Sequence, residues 1–349
     1  MKYIRHAAIL SGLLIAASFV LFQPEIATRA ISKGILVCAN SILPTLFPFF
    51  IISDLWCTLG YSQQVSKVLS PFMNAVFHLP GSAAPALITA AVGGYPVGIQ
   101  TLTKLYENNA ISKHHAEATL LFCNLAGPAF ILGIVGVGLF QSLQIGVVLW
   151  VIHLASAFSI GFLFRPSASA PDANVQYTAT DIAFLPALTL AIKKAGETTV
   201  QVCIFILFFS IVTENLAHLL PSSVQSAVLL GSFELASGCT SLGNLGLPQK
   251  TVFVICSGFL GWGGLCVHFQ SVSMLSRTDL STKNHWAGKA LQGLLSTALA
   301  CLIAPYLPLH APCFASASAP PVTAIAFLAC LMILMLEKSS SRKTGRYRI

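Results

Sequence analysis

The sequence predicts an all-α, polytopic membrane protein, and three observations support this fold class. Of the 349 residues, 55% are hydrophobic and only 9% are charged, whereas a soluble domain carries about a quarter charged residues. Many apolar runs approach the length of about 20 residues that a helix needs to cross a bilayer. Two of these runs are interrupted by glycine and proline, and such broken backbone survives at membrane depth only inside protein or beside a watery cavity.

Apolar segments and a single linker set the order of the domains. The segments are 7–22, 34–58, 83–102, 117–139, 144–164, 198–218, 224–246, 251–275, 288–308 and 322–336. A polar stretch rich in proline, serine and alanine separates two halves. We predict an N-terminal transmembrane helix (1–30), a first repeat (31–165), a linker (166–183), a second repeat (184–310), and a last transmembrane helix with a basic tail (311–349). The first helix resembles a signal peptide, but no small-residue cleavage site follows it, so we expect it to be retained.

The second half matches the first in three places that occur in the same order. The pairs are 48–54 with 208–214, 93–98 with 233–238, and 123–128 with 256–261. In the first pair, an aromatic and aliphatic run ends in a hydroxyl and then a carboxylate, at Asp54 and Glu214. We interpret the three matches as an internal duplication with four breaks in its apolar segments.

The positions of the basic residues constrain the topology. If all ten segments crossed the membrane from an inner N-terminus, Lys104, Lys113 and Arg165 would lie outside, against the positive-inside rule. If 83–102 and 224–246 are instead re-entrant hairpins, most basic residues lie inside: Lys67, Lys104, Lys113, Arg165, Lys193, Lys194, Arg277, Lys283, Lys289 and the tail. Those that remain outside are Arg29, Lys33 and Lys250. This arrangement leaves about eight crossings, makes both termini cytoplasmic and inverts one repeat relative to the other.

The breaks are the best candidates for a binding site. They expose backbone N–H and C=O groups and the N-termini of half-helices, which are suited to a polar or anionic ligand. The alternative is that they are packing kinks, since glycine and proline are frequent in membrane helices. The candidate solute-binding residues are Gly94, Tyr95, Pro96, Gly98, Asn124, Gly127, Pro128, Glu234, Ser237, Gly238, His268 and Gln270.

Plainer interpretations exist for several polar candidates. An ionisable residue in a membrane segment is a functional candidate by default, but Glu234 also fits a carboxylate at the lipid headgroups. His268 also fits a buried imidazole with its hydrogen bonds satisfied. For Asp54 and Glu214, which end their segments, we favour anchoring at the membrane interface.

Enzymatic and nucleic-acid-binding classes find no support in the sequence. Metalloprotease, hydrolase, P-loop and dinucleotide-binding motifs are missing. The net charge of +8 comes from short loops and the tail, which would orient the protein in a membrane rather than bind nucleic acid. The ten cysteines form no C-x-x-C pair and are interpreted as small buried hydrophobes rather than disulfides or metal ligands. We expect no enzyme, no metal and no cofactor.

Several motifs in combination resemble the sporulation integral membrane proteins of YlbJ (SpoVV) type. They are residues 41–50 and 79–81, Gly-Tyr-Pro-Val-Gly at 94–98, Asn124 with Gly127 and Pro128, then 233–238, 261–265, His268 and Gln270. That family carries nucleoside-recognition, or gate, domains related to concentrative nucleoside transporters. The resemblance implies two gate-like repeats and a membrane role in endospore formation, moving a small anion such as dipicolinate. At 234–238 the chain reads Glu-Leu-Ala-Ser-Gly, where the family pattern has a threonine-asparagine pair before the glycine.

The sequence therefore favours a transporter of a small polar or anionic solute that works by alternating access between inverted repeats. Glu234 would carry a coupling proton or help to hold a sodium ion. The expected partners are the solute and membrane lipids, and a homo-oligomer is compatible with the sequence. The alternative is a non-transporting assembly or scaffold protein of the spore envelope. An intramembrane hydrolase, a third class, would need a nucleophile such as Cys123, Ser237 or Cys266.

Overall fold

The computed structural model describes residues 23–167 and 183–309, and within these ranges the chain is helical, without strands. The predicted all-α class is thus confirmed for this part of the chain. The expected first helix at 7–22, the last apolar segment at 322–336, the basic tail and almost all of the linker lie outside the described residues.

The helices follow the order that the apolar segments predict. In the first half they are α1 (Pro24–Val37), a π-helical turn (Cys38–Ile42), α2 (Leu43–Thr58), α3 (Tyr61–Phe77), α4 (Ala84–Gly93), α5 (Val97–Glu107), α6 (Lys113–Thr119), a π-helix (Ala129–Leu139) and α7 (Leu143–Leu163). In the second half they are α8 (Phe184–Leu219), α9 (Val224–Phe233), α10 (Leu235–Gly243), α11 (Gln249–Trp262), α12 (Gly264–Leu275) and α13 (Lys283–Ile303). Short 3₁₀ turns precede α4 (Gly81–Ala83) and follow α13 (Ala304–Tyr306).

Four helical stretches in the described ranges are long and apolar enough to cross a membrane. They are α7, α8, α11 together with α12 (Gln249–Leu275), and α13 with the turn that follows it (Lys283–Tyr306). A fifth would arise if α3 and residues 81–93, which are bent by 102° relative to each other, count as one span. These helices agree with a multi-pass membrane protein, while the number of about eight crossings stays a prediction.

The segment 83–102 folds into a helical hairpin. α4 ends at Gly93, the chain turns at 94–96, and α5 packs back against α4. Thr89 on α4 donates a hydrogen bond to Thr101 on α5, with 2.9 Å between their hydroxyl oxygens. A Cβ atom at Gly98 would lie only 2.5 Å from the Cβ atom of Ala90, so the two helices meet closely because residue 98 has no side chain.

The segment 224–246 forms a second hairpin of the same kind. α9 and α10 meet at Glu234, the one non-helical residue between them. A Cβ atom at Gly238 would lie 2.2 Å from the Cα atom of Gly231, so these helices also touch along glycine. Both breaks predicted in these segments are therefore present.

The long helix α8 runs antiparallel to α1 and α2. At one end Lys33 forms an ion pair with Glu214, at 2.8 Å. At the other end Asp54 forms an ion pair with Lys104, which also lies in electrostatic range of Lys194. Asp54 is buried, with 2% of its side chain exposed, so the predicted anchoring at the membrane interface is wrong for this residue. Its helix is tied to the first hairpin instead.

The two hairpins open towards opposite ends of α8. The first hairpin ends near Lys104, beside the Lys194 end of α8. The second hairpin begins and ends near the other end of α8, where Ser223 and Asn244 lie around the same small pocket as Ala217. The hairpin tips therefore approach each other from opposite directions beside the middle of α8.

The third pair of the proposed duplication is only partly correct. Residues 123–127 are non-helical, as predicted, but 256–261 continue the helix α11 to Trp262. The break comes at Gly263 and Gly264, whose φ angles are +88° and +80°. A Cβ atom at Gly261 would lie 2.7 Å from the carbonyl oxygen of Gln292. That glycine therefore serves close packing against α13 and does not interrupt its own helix.

The contacts at the loops predict which residues share a side of the membrane. Tyr106 and Lys113 both contact the carboxylate of Asp279, so single cysteines at Asn108 and Ser276 should react with a membrane-impermeant maleimide from the same side. A cysteine at Ser222, near the opposite end of α8, should react from the other side. The measurement is labelling of sealed vesicles of known orientation, in a cysteine-free background. Labelling of Asn108 and Ser276 from opposite sides would contradict this arrangement.

The ion pair between Asp54 and Lys104 should matter far more than the pair between Lys33 and Glu214. Lys104→Met leaves Asp54 buried without its cation, so we expect a loss of about 3–5 kcal/mol, which the double change Asp54→Asn, Lys104→Met should partly restore. Lys33 is 61% exposed, and the control Lys33→Met should cost about 0–1 kcal/mol. Thermal unfolding in detergent measures these effects. Equal melting temperatures for Lys104→Met and Lys33→Met would show that the first pair is not structural.

Candidate functional site

A single cavity lies where the four breaks meet. The space inside it that the centre of a water-sized sphere can occupy is about 90 Å³, and the cavity is partly open. Every break contributes to its lining: Gly94 and Tyr95 from the first, Gly127 from the second, Glu234 from the third and Gly263 from the fourth. The other lining residues are mostly apolar, namely Ile42, Leu46, Gly93, Ala129, Phe130, Ile134, Val202, Ile206, Leu235, Cys266, Val267 and Gln270. The cavity is thus an apolar chamber with a polar edge made by broken helices.

Glycines bring the breaks together in two pairs. Gly94 has a φ angle of +88°, and a Cβ atom on it would lie 2.6 Å from the backbone nitrogen of Gly127. The first break therefore packs directly on the second. A Cβ atom on Gly264, whose φ angle is +80°, would lie 3.1 Å from the carbonyl oxygen of Phe233, so the fourth break packs on the third. Larger side chains would be strained at both φ angles and would separate the backbones.

Side chains from neighbouring helices satisfy the polar groups of the second break. The backbone N–H of Ala126 donates to Nε2 of His153, at 2.8 Å. The side-chain amide of Asn124 donates to the hydroxyl of Ser271, at 3.1 Å. His153 and Ser271 are both buried and lie on α7 and α12. Specific side chains therefore satisfy the polar groups of this non-helical segment, which irregular backbone inside a membrane protein requires.

Glu234 caps the helix that begins at the tip of the second hairpin. One carboxylate oxygen accepts a hydrogen bond from the backbone N–H of Ala236, at 2.9 Å, and the other accepts from the backbone N–H and the hydroxyl of Ser237, at 2.6 and 2.7 Å. A carboxylate at a helix N-terminus is favoured by both the free N–H groups and the helix dipole. Glu234 is only partly buried and borders the cavity.

Five of the residues proposed from the sequence line the cavity, and the other seven lie close behind it in the same elements. Those on the cavity are Gly94, Tyr95, Gly127, Glu234 and Gln270. Those outside its lining are Pro96, Gly98, Asn124, Pro128, Ser237, Gly238 and His268. The structure therefore brings the four sequence motifs to one place, although seven of the twelve candidate residues do not line the cavity.

His268 belongs to a buried aromatic cluster. Its Nδ1 lies 3.1 Å from Nε2 of His285, and its ring stacks on that of Trp286 with 4.1 Å between the centroids. The ring of Trp262 lies 4.2 Å away. These contacts enclose the imidazole in protein groups, but its Nε2 has no hydrogen-bond partner, so the interpretation of His268 as a fully satisfied imidazole is only partly met.

Lys289 was missed as a site residue. The topology argument placed it among the inner basic residues, but only 1% of it is exposed, and it lies in the interior beside the breaks. Its Nζ donates to the carbonyl oxygen of Asn124, at 3.0 Å, and to Oε1 of Gln292, at 2.8 Å. The available signal was helical spacing, because His285, Lys289, Gln292 and Ser296 lie on one face of α13 and all four are buried.

The described residues contain no group of three or more histidine, cysteine, aspartate or glutamate side chains that could hold a metal ion. The thiols of Cys239 and Cys256 lie near each other, with 3.8 Å between the Sγ atoms. The chemistry that the site offers is therefore that of backbone groups, amides, a phenol, a carboxylate, the thiol of Cys266 and a nearby amine.

Comparisons with known proteins agree with the resemblance predicted from the motifs. The nucleoside-recognition family Gate matches residues 39–143, which include the first two breaks. The sporulation integral membrane protein YlbJ of Bacillus subtilis (strain 168) is 28% identical, over 83% of this chain and 82% of that protein. No solved structure matches the chain. The chain is thus similar to an integral membrane protein of sporulation and contains a region of the nucleoside-recognition type.

Proposed function

We propose that the protein is a membrane transporter of a small polar or anionic solute, such as dipicolinate, and that it acts in endospore formation. The observation that carries this proposal is the convergence of four helix breaks on one cavity between two hairpins. A scaffold needs no such cavity, and four packing kinks would have no reason to meet. The sporulation role rests on the similarity to YlbJ, whose name states it.

The arrangement of the helices supports alternating access. The helices α1 and α2 run antiparallel to α8, and the hairpins open towards opposite ends of α8. Inverted repeats with a substrate site between discontinuous helices are common among secondary transporters. We infer that the hairpins are re-entrant, that the two repeats are inverted, and that the cavity lies near the middle of the membrane. Movement of one repeat against the other would then open the cavity to each side in turn.

The cavity lining indicates what kind of solute fits. Its apolar walls suit a planar ring, while its polar edge offers Glu234, Gln270, Tyr95 and the glycines of the breaks. A carboxylate solute would be repelled by an ionised Glu234, so a proton or a sodium ion should enter with it. A protonated Glu234 would still accept a hydrogen bond through its carbonyl oxygen, so part of the helix cap would remain.

Glu234 provides the first test of transport. In proteoliposomes, Glu234→Gln should reduce the flux of radiolabelled dipicolinate by about tenfold or more, which corresponds to about 1.4 kcal/mol or more in the barrier. Glutamine cannot carry a proton, but its amide oxygen can still accept a hydrogen bond from Ala236 or Ser237, so the fold should survive. Tracer uptake, corrected for the amount of reconstituted protein, is the measurement.

Glu214→Gln is the matched control, because Glu214 is a carboxylate on α8 that is paired with Lys33 and lies outside the cavity lining. Its flux should stay near that of the wild type. Equal flux in both variants would remove Glu234 from the mechanism. Absence of flux in the wild type, together with a defect in spore envelope assembly when the gene is deleted, would favour the scaffold.

A further inference from the structure

The helix α13 carries Lys289 into the interior because two glycines let it approach its neighbours. A Cβ atom on Gly288 would lie 1.9 Å from the carbonyl oxygen of Leu121, just before the second break. A Cβ atom on Gly293 would lie 3.4 Å from the carbonyl oxygen of Gly258 on α11. Lys289, which follows Gly288, therefore lies against the broken backbone, and its long side chain does not reach solvent.

The ammonium of Lys289 has hydrogen bonds but no opposite charge. Its two partners, the carbonyl oxygen of Asn124 and Oε1 of Gln292, are neutral. The ion pairs of the described residues do not include Lys289. Burial of a charge without a counter-charge is strongly unfavourable, and buried charges are normally paired. An ammonium has three donors, so one remains after the two observed bonds.

Lys289 lies directly behind the cavity wall. Its Nζ is 5.5 Å from the ring centroid of Tyr95, and its Cε is 3.5 Å from the position that a Cβ atom of Gly263 would take. Tyr95 and Gly263 both line the cavity. Only these wall residues separate the amine from the cavity, and inside protein a unit charge acts on a charged solute more strongly than it does through bulk water.

Two buried polar atoms beside Lys289 also have no hydrogen-bond partner. They are the hydroxyl of Tyr95 and the side-chain oxygen of Asn124. Buried polar atoms in native proteins are nearly always bonded, so an unpaired one needs an explanation such as a missing ligand. The ring of Tyr95 lies beside the ammonium, and the backbone carbonyl of Asn124 accepts a hydrogen bond from it.

We propose that Lys289 supplies the positive charge with which the cavity selects a carboxylate over a neutral solute of the same shape. This proposal rests on the proposed function and names a specificity-determining residue for it. The solute supplies the negative charge that the described protein does not place next to the ammonium. Lys289 acts through the wall formed by Tyr95 and Gly263 and does not need to enter the cavity.

The other ionisable groups around Lys289 do not already supply that charge. Electrostatic interactions link it to the imidazoles of His153, His268 and His285 and to the thiol of Cys123. The carboxylate that lines the cavity is Glu234, which interacts with Tyr95 from the cavity side.

The test uses a pair of solutes that differ in charge and hardly in shape, pyridine-2,6-dicarboxylate and pyridine-2,6-dicarboxamide. Binding to the full-length protein in detergent is measured by calorimetry, and flux is measured in proteoliposomes. Lys289→Gln removes the charge but keeps a donor for Asn124, and Lys289→Arg keeps the charge. Lys283→Gln is the matched control, because Lys283 begins the same helix and is exposed.

The wild type should bind the dicarboxylate at least tenfold more tightly than the dicarboxamide. Lys289→Gln should weaken dicarboxylate binding about tenfold and leave dicarboxamide binding within about twofold, which a purely structural role would not produce. Lys289→Arg should restore most of the preference, and Lys283→Gln should retain all of it. An unchanged preference in Lys289→Gln would overturn the proposal.

If the variants do not fold, the wild type can still overturn the proposal. Equal affinity of the wild type for the two solutes, or failure to bind the dicarboxylate at all, would overturn the role of Lys289. A wild type that binds the dicarboxylate selectively but moves none across the membrane would refute the proposed transport while supporting the charge selectivity. The two proposals therefore fail in different measurements.

Discussion

Backbone groups that a broken helix leaves free must find partners inside the protein, because hydrocarbon offers none. This constraint shapes the whole centre of the molecule. His153 accepts a hydrogen bond from the backbone N–H of Ala126, and Lys289 donates one to the carbonyl oxygen of Asn124. Glu234 caps the N-terminus of α10. Each partner is a polar side chain in an otherwise apolar helix or hairpin, buried for His153 and Lys289 and partly buried for Glu234, and each is tolerated because a break requires it.

The same bonds connect the two halves of the chain. Lys289 and Ser271 belong to the second half but bond Asn124 in the first, and Gln292 donates to the carbonyl oxygen of His153. A movement that exposes the cavity must therefore keep these bonds or exchange them for others. The opposite wall, formed by α1, α2 and the middle of α8, is mainly apolar, and it packs through dispersion contacts, which have little directionality.

Local composition explains which site features could be predicted. A cluster of glycine and proline at 93–98 removes helix propensity wherever it occurs, so the first break follows from the sequence alone. Glycine by itself is ambiguous, however, because it also permits close helix packing. Gly261 was interpreted as part of a break and instead packs on α13, while the break falls two residues later at Gly263. Only the neighbouring helix decides between the two uses.

The sequence by itself determined the helical class, the membrane character, two hairpins and three of the four breaks, since these depend on hydropathy and on residues near in sequence. The tertiary structure decided that the breaks converge on one cavity and that Asp54 and Lys289 are buried. Charge in a sequence says only that a side chain prefers water. Whether a charged side chain reaches water depends on the residues that pack around it. Lys289 is buried because the neighbouring Gly288 packs against Leu121, which lies far away along the chain.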